Sequence, residues 1–328
     1  MSIDELFPGI FKIEVPLPRN PLRMLNAYLI KGEKRHLLID NGFNRPECLE
    51  AMNGALDSLG VARGDLDFFL THLHADHCGL TADLCEGGET KIYASALDGE
   101  SINNTTRGPS YWTGFLRTMI PHGFSEEQVA ELSKTHPAIR FCPSHELDFI
   151  TVAPGEKLQY GGYTLRILDG KGHTPGLLAL YEPSNKILFS SDLILGDITP
   201  NIARWPNVRD SLGDFFDSLA AVEALDVALT LPAHRSLVPD TKKRIHELYE
   251  HHKRRLDEVR TLLKEGPQQG YPIATRMTWD MRGEWEDFPV AQKWFACGEA
   301  LSHLDRLVAL GDAEERTRGD TVVFALRQ

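Results

Sequence analysis

His72-Leu73-His74-Ala75-Asp76-His77 sets four potential metal ligands within six positions. The stretch follows directly on residues 66–70, a short apolar run that reads as a buried strand. A strand that ends in such a segment projects its side chains from a rigid scaffold into a loop, where binding groups are commonly found. Imidazole nitrogen together with carboxylate oxygen suits zinc, iron or manganese. A polar loop that is rich in histidine by accident is the alternative, and three His and one Asp this close together make it a poor one.

Three later segments share the same local form. Gly172-His173-Thr174-Pro175-Gly176 is a glycine-flanked loop between two strand candidates. Phe189-Ser190-Ser191-Asp192 puts an acid at the end of a strand, and Leu231-Pro232-Ala233-His234 puts a histidine at the end of another. One polar residue at a strand exit is usually structural or solvated. Three of them, each in a tight turn, join the first cluster as candidate ligands.

Working outward, residues 10–15, 27–30 and 36–39 read as strands, and Asp40-Asn41-Gly42 as the turn that follows. Residues 47–59 have helical spacing and stop at Gly60. Residues 91–94 make a further strand. From about 95 to 145 strand signals thin out and two or three helical segments carry Tyr111, Trp112, Phe115, Leu116, Met119 and Phe124. That length is too great for a plain connection, so the segment reads as a helical insert, either a lid over the site or a packed appendage. Strands resume at 157–160, 163–168, 177–181, 186–190 and 227–231, with a helix over 211–225. Beyond Pro239 two long helices, 241–264 and 289–310, precede a terminal hairpin around Glu314-Glu315-Arg316-Thr317-Arg318-Gly319-Asp320.

With these motifs in place the sequence resembles the metallo-β-lactamase superfamily over about residues 9 to 240. His72, His74, Asp76 and His77 match its HxHxDH motif, and His173, Asp192 and His234 match its later ligands in order. The resemblance implies an α/β fold, an αββα sandwich of two packed sheets with helices outside. It also implies that His72, His74 and His173 hold one metal, that Asp76, His77 and His234 hold the other, and that Asp192 bridges them. Two divalent ions are expected, zinc first, with iron or manganese also suited to the donors. A hydroxide between the two cations would be the nucleophile, because a bound water ionises far more readily than a free one. Asp76 is the expected catalytic residue, orienting that hydroxide and relaying a proton to the leaving group. Asp40 is a candidate to orient a ligand imidazole, or a simple turn acid.

The organisation expected is a metallo-β-lactamase domain over 1–240, with the insert at about 95–145, and a small, mainly helical module over 241–328. Helices followed by a hairpin resemble the winged-helix tail of some relatives. The first functional expectation is a binuclear hydrolase acting on a small ester, thioester or lactone. The alternatives are a metal-dependent nuclease acting on phosphodiesters and a mononuclear iron enzyme that oxidises sulfur compounds; the full ligand set argues against the latter.

Composition narrows the field. The chain has 328 residues and a formal net charge of −12, with 42% hydrophobic and 25% charged residues. An acidic chain repels phosphate backbones unless basic residues are segregated. Lys242-Lys243-Arg244 and Lys253-Arg254-Arg255 are interleaved with acids, which reads as a solvated helix face. A small-molecule substrate is therefore expected rather than nucleic acid, and the tail is expected to pack or to support a homodimer. Five scattered cysteines without a CxxC pair argue against a disulfide framework and for a reducing compartment, with the cytoplasm expected. No long apolar run marks a membrane span. No GxSxG elbow is present. Cys78, next to His77, reads as a small buried residue rather than a nucleophile.

Overall fold

Between residues 10 and 39 apolar side chains fall on both faces of successive strands. The computed structural model, which describes residues 2–280 and 283–327, buries both faces. Strands β1 (Ile3–Phe7), β2 (Ile10–Pro16), β3 (Met24–Ile30), β4 (His36–Ile39), β5 (Leu66–Phe69), β6 (Ile92–Ala94) and β7 (Phe149–Thr151) lie in that order across one sheet. They pair antiparallel as far as β4 and parallel from β4 to β7. The second sheet holds β8 (Lys157–Tyr160), β9 (Tyr163–Asp169), β10 (Leu178–Glu182), β11 (Ile187–Ser191) and β12 (Leu229–Pro232). Its β11–β12 pair is parallel and the others antiparallel.

Side-chain alternation assigns the faces. In β3, Tyr28 and Ile30 point between the sheets, while Leu25, Ala27 and Leu29 join the outer core. The inter-sheet layer sets Ile10, Leu37, Ile39 and Phe69 against Leu165, Ile167, Leu180, Phe189 and Leu231. Tyr28 meets Phe189 edge-on across it, with ring centroids 5.4 Å apart. Helices cover the outer faces, completing the αββα sandwich: α1 (Pro46–Leu59), α2 (Ala75–Cys78), α3 (Thr81–Leu84), α4 (Ala96–Thr106), α5 (Ser110–Arg117), α6 (Glu126–Thr135), α7 (Pro137–Arg140), α8 (Ser211–Glu223), α9 (Thr241–Leu263), α10 (Gly270–Ala274) and α11 (Val290–Leu310). A hairpin of β13 (Ala313–Arg318) and β14 (Thr321–Leu326) follows.

The helices expected over 95–145 are α4 to α7. Strands β1 and β7 and the short α10 were not read from the sequence. β1 and β7 are edge strands with mostly half-exposed or exposed side chains, so they show no apolar alternation. Among the described residues, no helix is long and apolar enough to cross a membrane.

One finding decides between the two readings of the insert, and another corrects the reading of α9. Trp112, Phe115 and Met119 do not offer apolar surface to a ligand: they are 1%, 8% and 3% exposed and belong to the outer core. The basic face of α9 is only partly solvated. Arg244 donates from Nε to the carbonyl of Leu195 at 2.7 Å and from Nη2 to that of Ile198 at 2.9 Å. Arg255 is buried, lies 4.1 Å over the Trp279 ring and faces Glu258 at 3.1 Å and Glu299 at 3.6 Å.

The outer core is continuous from the sandwich into the C-terminal helices: Phe215 and Leu219 of α8, Leu248 and Val259 of α9, and Leu301 and Leu304 of α11 belong to one buried cluster. Leu301 is fully buried and packs on Gly270, where there is no room for a side chain. Leu301→Ala is expected to cost about 2–5 kcal/mol through the cavity it leaves, measured as a lower midpoint in urea unfolding with unchanged cooperativity.

Candidate metal centre

All seven candidate ligands leave the ends of strands on one edge of the sandwich. β5 delivers Thr71 to His77, β9 leads to His173, β11 to Asp192 and β12 to His234. The backbone turns sharply at these exits. Asp40, Ser191 and Arg235 are non-glycine residues with φ of 58°, 50° and 65°, conformations that cost energy and persist where the surroundings impose them. Gly172, at φ 125°, is required twice over, since a Cβ there would also lie 2.5 Å from Phe215 Cβ. The loop that presents His173 can follow this path only with glycine before it.

The structure brings the seven residues together in two adjoining groups. His72, His74, His173 and Asp192 form the first, and Asp76, His77 and His234 the second; within each, one ligand atom per residue lies within 4.8 Å of the others. In the first group His74 Nδ1 is 3.0 Å from both His72 Nε2 and His173 Nε2. Asp192 Oδ2 is 3.4 Å from His173 Nε2 and 3.7 Å from His77 Nε2, and its Oδ1 is 3.5 Å from His234 Nε2. Asp192 thus stands between the groups. Asp76 Oδ2 is 3.5 Å from His234 Nε2 and 3.9 Å from His77 Nε2.

The far sides of four of the five imidazoles are held. His77 Nδ1 donates to Asp40 Oδ2 at 2.7 Å, His173 Nδ1 to the carbonyl of Asn201 at 2.7 Å, and His234 Nδ1 to the carbonyl of Met24 at 2.8 Å. His72 Nδ1 faces the Thr71 hydroxyl at 3.1 Å. Asp40 is no simple turn acid: it is 2% exposed and also accepts from the Thr71 amide at 2.9 Å and the Thr71 hydroxyl at 2.8 Å.

With Nδ1 committed, His77 and His234 present bare Nε2 atoms to the group. Those two nitrogens and Asp192 Oδ1 are buried without a hydrogen-bond partner. Buried polar atoms are rarely left unpaired, and acceptors that face acceptors cannot satisfy one another. A cation resolves this, and the spacing fits. Tetrahedral donors about 2.0–2.1 Å from an ion lie roughly 3.3 Å apart, the range seen here.

The electrostatics agree. Burial and neighbouring imidazoles push His72 and His74 well below the usual histidine range, which keeps them neutral ligands. Burial opposes charge on His77, but Asp40, Asp192 and Asp76 outweigh it and raise it to about 10; the carboxylates around this ring call for positive charge at its Nε2, either a proton or a cation in its place. Burial works against ionised Asp192, yet His234, His77 and His173 hold its carboxyl below its ordinary value. Burial lifts the Cys78 thiol well above its ordinary value, and its Sγ faces the Leu73 carbonyl at 3.7 Å, which removes it as a nucleophile.

Asp98 was not found from the sequence. On α4 and 1% exposed, it accepts from the Leu73 amide at 3.0 Å, the Thr174 hydroxyl at 2.6 Å and the Gly176 amide at 2.9 Å. One carboxylate therefore ties the 72–77 loop to the 172–176 loop. Burial raises it to about 6 despite those donors. Its sequence signal, Ser95 three residues before it, is also that of an ordinary helix cap, and Ser95 does accept from the Asp98 amide. Trp205 was missed as well. Its Nε1 donates to the His173 carbonyl at 3.0 Å, and its ring lies 6.3 Å from that of His74.

The family model described as the Metallo-beta-lactamase superfamily matches residues 21–234. "Probable metallo-hydrolase YqjP" of Bacillus subtilis is 23% identical over 96% of this chain and 97% of its own. An Aspergillus aculeatus protein named "Atrochrysone carboxyl ACP thioesterase AacuM" is 21% identical over 75% of this chain and 62% of its own. The crystal structure of a metallo-beta-lactamase family protein from Thermus thermophilus superposes with a TM-score of 0.82 at 26% identity, covering 98% of this chain and 100% of that one.

Asp98→Ala leaves the Leu73 and Gly176 amides buried without an acceptor. An unmet buried donor costs about 1–3 kcal/mol, so the metal-free variant is expected to unfold at visibly lower denaturant. An unchanged midpoint would show that Asp98 does not tie the two loops.

Proposed function

The chain belongs to the metallo-beta-lactamase superfamily and is a metal-dependent hydrolase, and on that premise we propose that it holds two divalent cations and cleaves a small ester, thioester or lactone. The observation that carries this reading is the pair of adjoining ligand groups with Asp192 between them. His72, His74 and His173 would hold one ion, Asp76, His77 and His234 the other, and Asp192 both. Zinc is the first choice for these donors, with iron or manganese also accommodated. The division into a sandwich over 1–240 and a helical module over 241–328 belongs to the same reading.

When bound, such a pair of cations supplies Lewis acidity and a water that ionises near neutral pH. The chain's own residues supply orientation and proton transfer. Asp40, Thr71, Asn201 and Met24 fix the far edges of four imidazoles, so that little reorganisation is left for the reaction. Asp76 aims an attacking water and accepts its proton at Oδ2. As the acyl–oxygen or acyl–sulfur bond breaks, Asp76 returns that proton to the leaving atom, giving a carboxylic acid and an alcohol or thiol.

Substrate class rests on two supports. The acidic chain, at −12, disfavours a polyanion, and Arg244 and Arg255, two of the six basic residues in the two clusters on α9, are engaged internally. The fungal relative is named for a thioesterase activity, which places thioesters first in a screen.

Protein purified without chelator is expected to carry about two ions per chain by elemental analysis, and Asp192→Ala to lose metal and turnover together. Saturation at one ion would favour the mononuclear alternative. Assayed at physiological salt against thioesters, esters, lactones and single-stranded RNA, the protein is expected to hydrolyse at least one acyl substrate and leave RNA intact. Metal-dependent RNA cleavage without acyl hydrolysis would overturn the reading. Cys78→Ala is expected to keep turnover within about threefold, since a buried un-ionised thiol is inert.

A further inference from the structure

His173 depends on a loop that cannot hold itself. Residues 192–210 connect β11 to α8 without regular structure. Two of them touch His173: the Asn201 carbonyl accepts from Nδ1 at 2.7 Å, and the Trp205 indole donates to the His173 carbonyl at 3.0 Å. The loop is gripped from the other side by α11. Asn201 Nδ2 donates to Glu299 Oε2 at 2.9 Å, the Arg204 amide donates to the Gly298 carbonyl at 3.0 Å, and the Ser302 hydroxyl donates to the Ile202 carbonyl at 2.5 Å. The approach is so close that a Cβ on Gly298 would lie 3.0 Å from that of Ala203.

We propose that Glu299, in the C-terminal module, is a positioning residue for the candidate metal ligand His173, acting through Asn201. Glu299 is 8% exposed, and a buried carboxylate with so few partners is costly to keep. Among the described residues its two oxygens meet Asn201 at 2.9 Å and, more loosely, Arg255 at 3.6 Å. Holding the Asn201 side chain fixes the attitude of that residue, and with it the carbonyl that takes the His173 proton. That hydrogen bond sets which nitrogen of His173 is bare and where it points. The second group has no such dependence on α11, because His77 and His234 are held by Asp40 and Met24 from the first sheet and its exits. Loss of Glu299 therefore acts on one group only, and this asymmetry distinguishes positioning from general support of the fold.

The proposal rests on the two-metal reading, and the experiment separates the two. Full-length protein is stripped with chelator and titrated with cobalt(II), following visible absorption and heat. Removing an outer partner of a ligand typically weakens metal binding about 10–100-fold. Glu299→Ala is expected to weaken one of two binding steps by about tenfold, at the lower end of that range, and to leave the other within about twofold. Glu299→Gln keeps an acceptor for Asn201 and is expected to restore the affected step. Asn201→Ala removes the same link from the loop side. It should reproduce the selective loss, and the double variant should be no worse than either single one, as for residues in series. This second variant also serves if Glu299→Ala does not fold. Wild-type affinity at both steps in Glu299→Ala and Asn201→Ala, equal weakening of both steps, or no rescue by glutamine would each overturn the proposal. If the wild type takes up a single ion, the two-metal reading fails, while the loss or retention of affinity for that ion in the variants still decides the role of Glu299.

Discussion

Five imidazoles and two carboxylates, largely withdrawn from water, aim their free lone pairs at one another, and the rest of the fold is arranged around that electrostatic demand. His77 Nε2, His234 Nε2 and Asp192 Oδ1 have no hydrogen-bond partner among the described residues. Such an arrangement is stable only if positive charge occupies the space between the donors, and the three carboxylates around His77 already hold a proton there up to about 10. The sandwich makes this concentration geometrically available. Two sheets share an edge at which β4, β5, β9, β11 and β12 all release their chains, and three of those exits, after β4, β11 and β12, pass through positive φ at non-glycine residues. Strain of this kind is tolerable because the hydrophobic layer between the sheets, with Tyr28 on Phe189 at its heart, fixes the strand ends independently of the site.

Much of this was legible in the sequence because the ligands are local signals. Four of them sit within six residues, and each later one closes a strand that announces itself by β-branched and aromatic residues, as at 186–190 and 227–231. Strand β4 was read with its observed bounds, and α1 was read as 47–59, one residue short of its start at Pro46, with its stop at Gly60, whose φ of 63° closes the helix. Apart from Asp40, the supporting residues were not legible, for a physical reason. Asp98 acts on residues 25, 76 and 78 positions away, and Glu299 acts on a loop 98 positions away. Nothing in a linear pattern separates such a buried carboxylate from a helix cap or a solvated acid. The same blindness made Arg244 and Arg255 look like part of a charged surface, since spacing along a helix shows which face a residue occupies but not what packs against that face. The aromatic insert was ambiguous for the converse reason: rings at helical spacing look alike whether they line a cleft or fill a core, and here they fill one.

The insert and the C-terminal module contribute in different ways. α4 reaches between the two ligand loops with one carboxylate. α5 supplies Phe115, which stacks on Trp205 at 5.2 Å and meets Trp294 of α11 at 5.6 Å. Apolar packing thus joins insert, connecting loop and final helix into one wall beside His74, while hydrogen bonds set the register within it. Packing alone tolerates small slides; the polar contacts of Asn201, Ile202 and Arg204 with α11 do not.

That the loop behind His173 is clasped by a helix near the end of the chain has a consequence for synthesis. Residues 173 and 299 are 126 positions apart. At about 5–20 residues per second of translation, Glu299 is made roughly 6 to 25 s after His173. During that interval every ligand up to His234 appears while the clasp does not yet exist. Until the last helix is made, the polar partners of Asn201, Ile202 and Arg204 do not exist, so the surroundings of His173 are completed only near the end of synthesis, long after the residue itself has appeared.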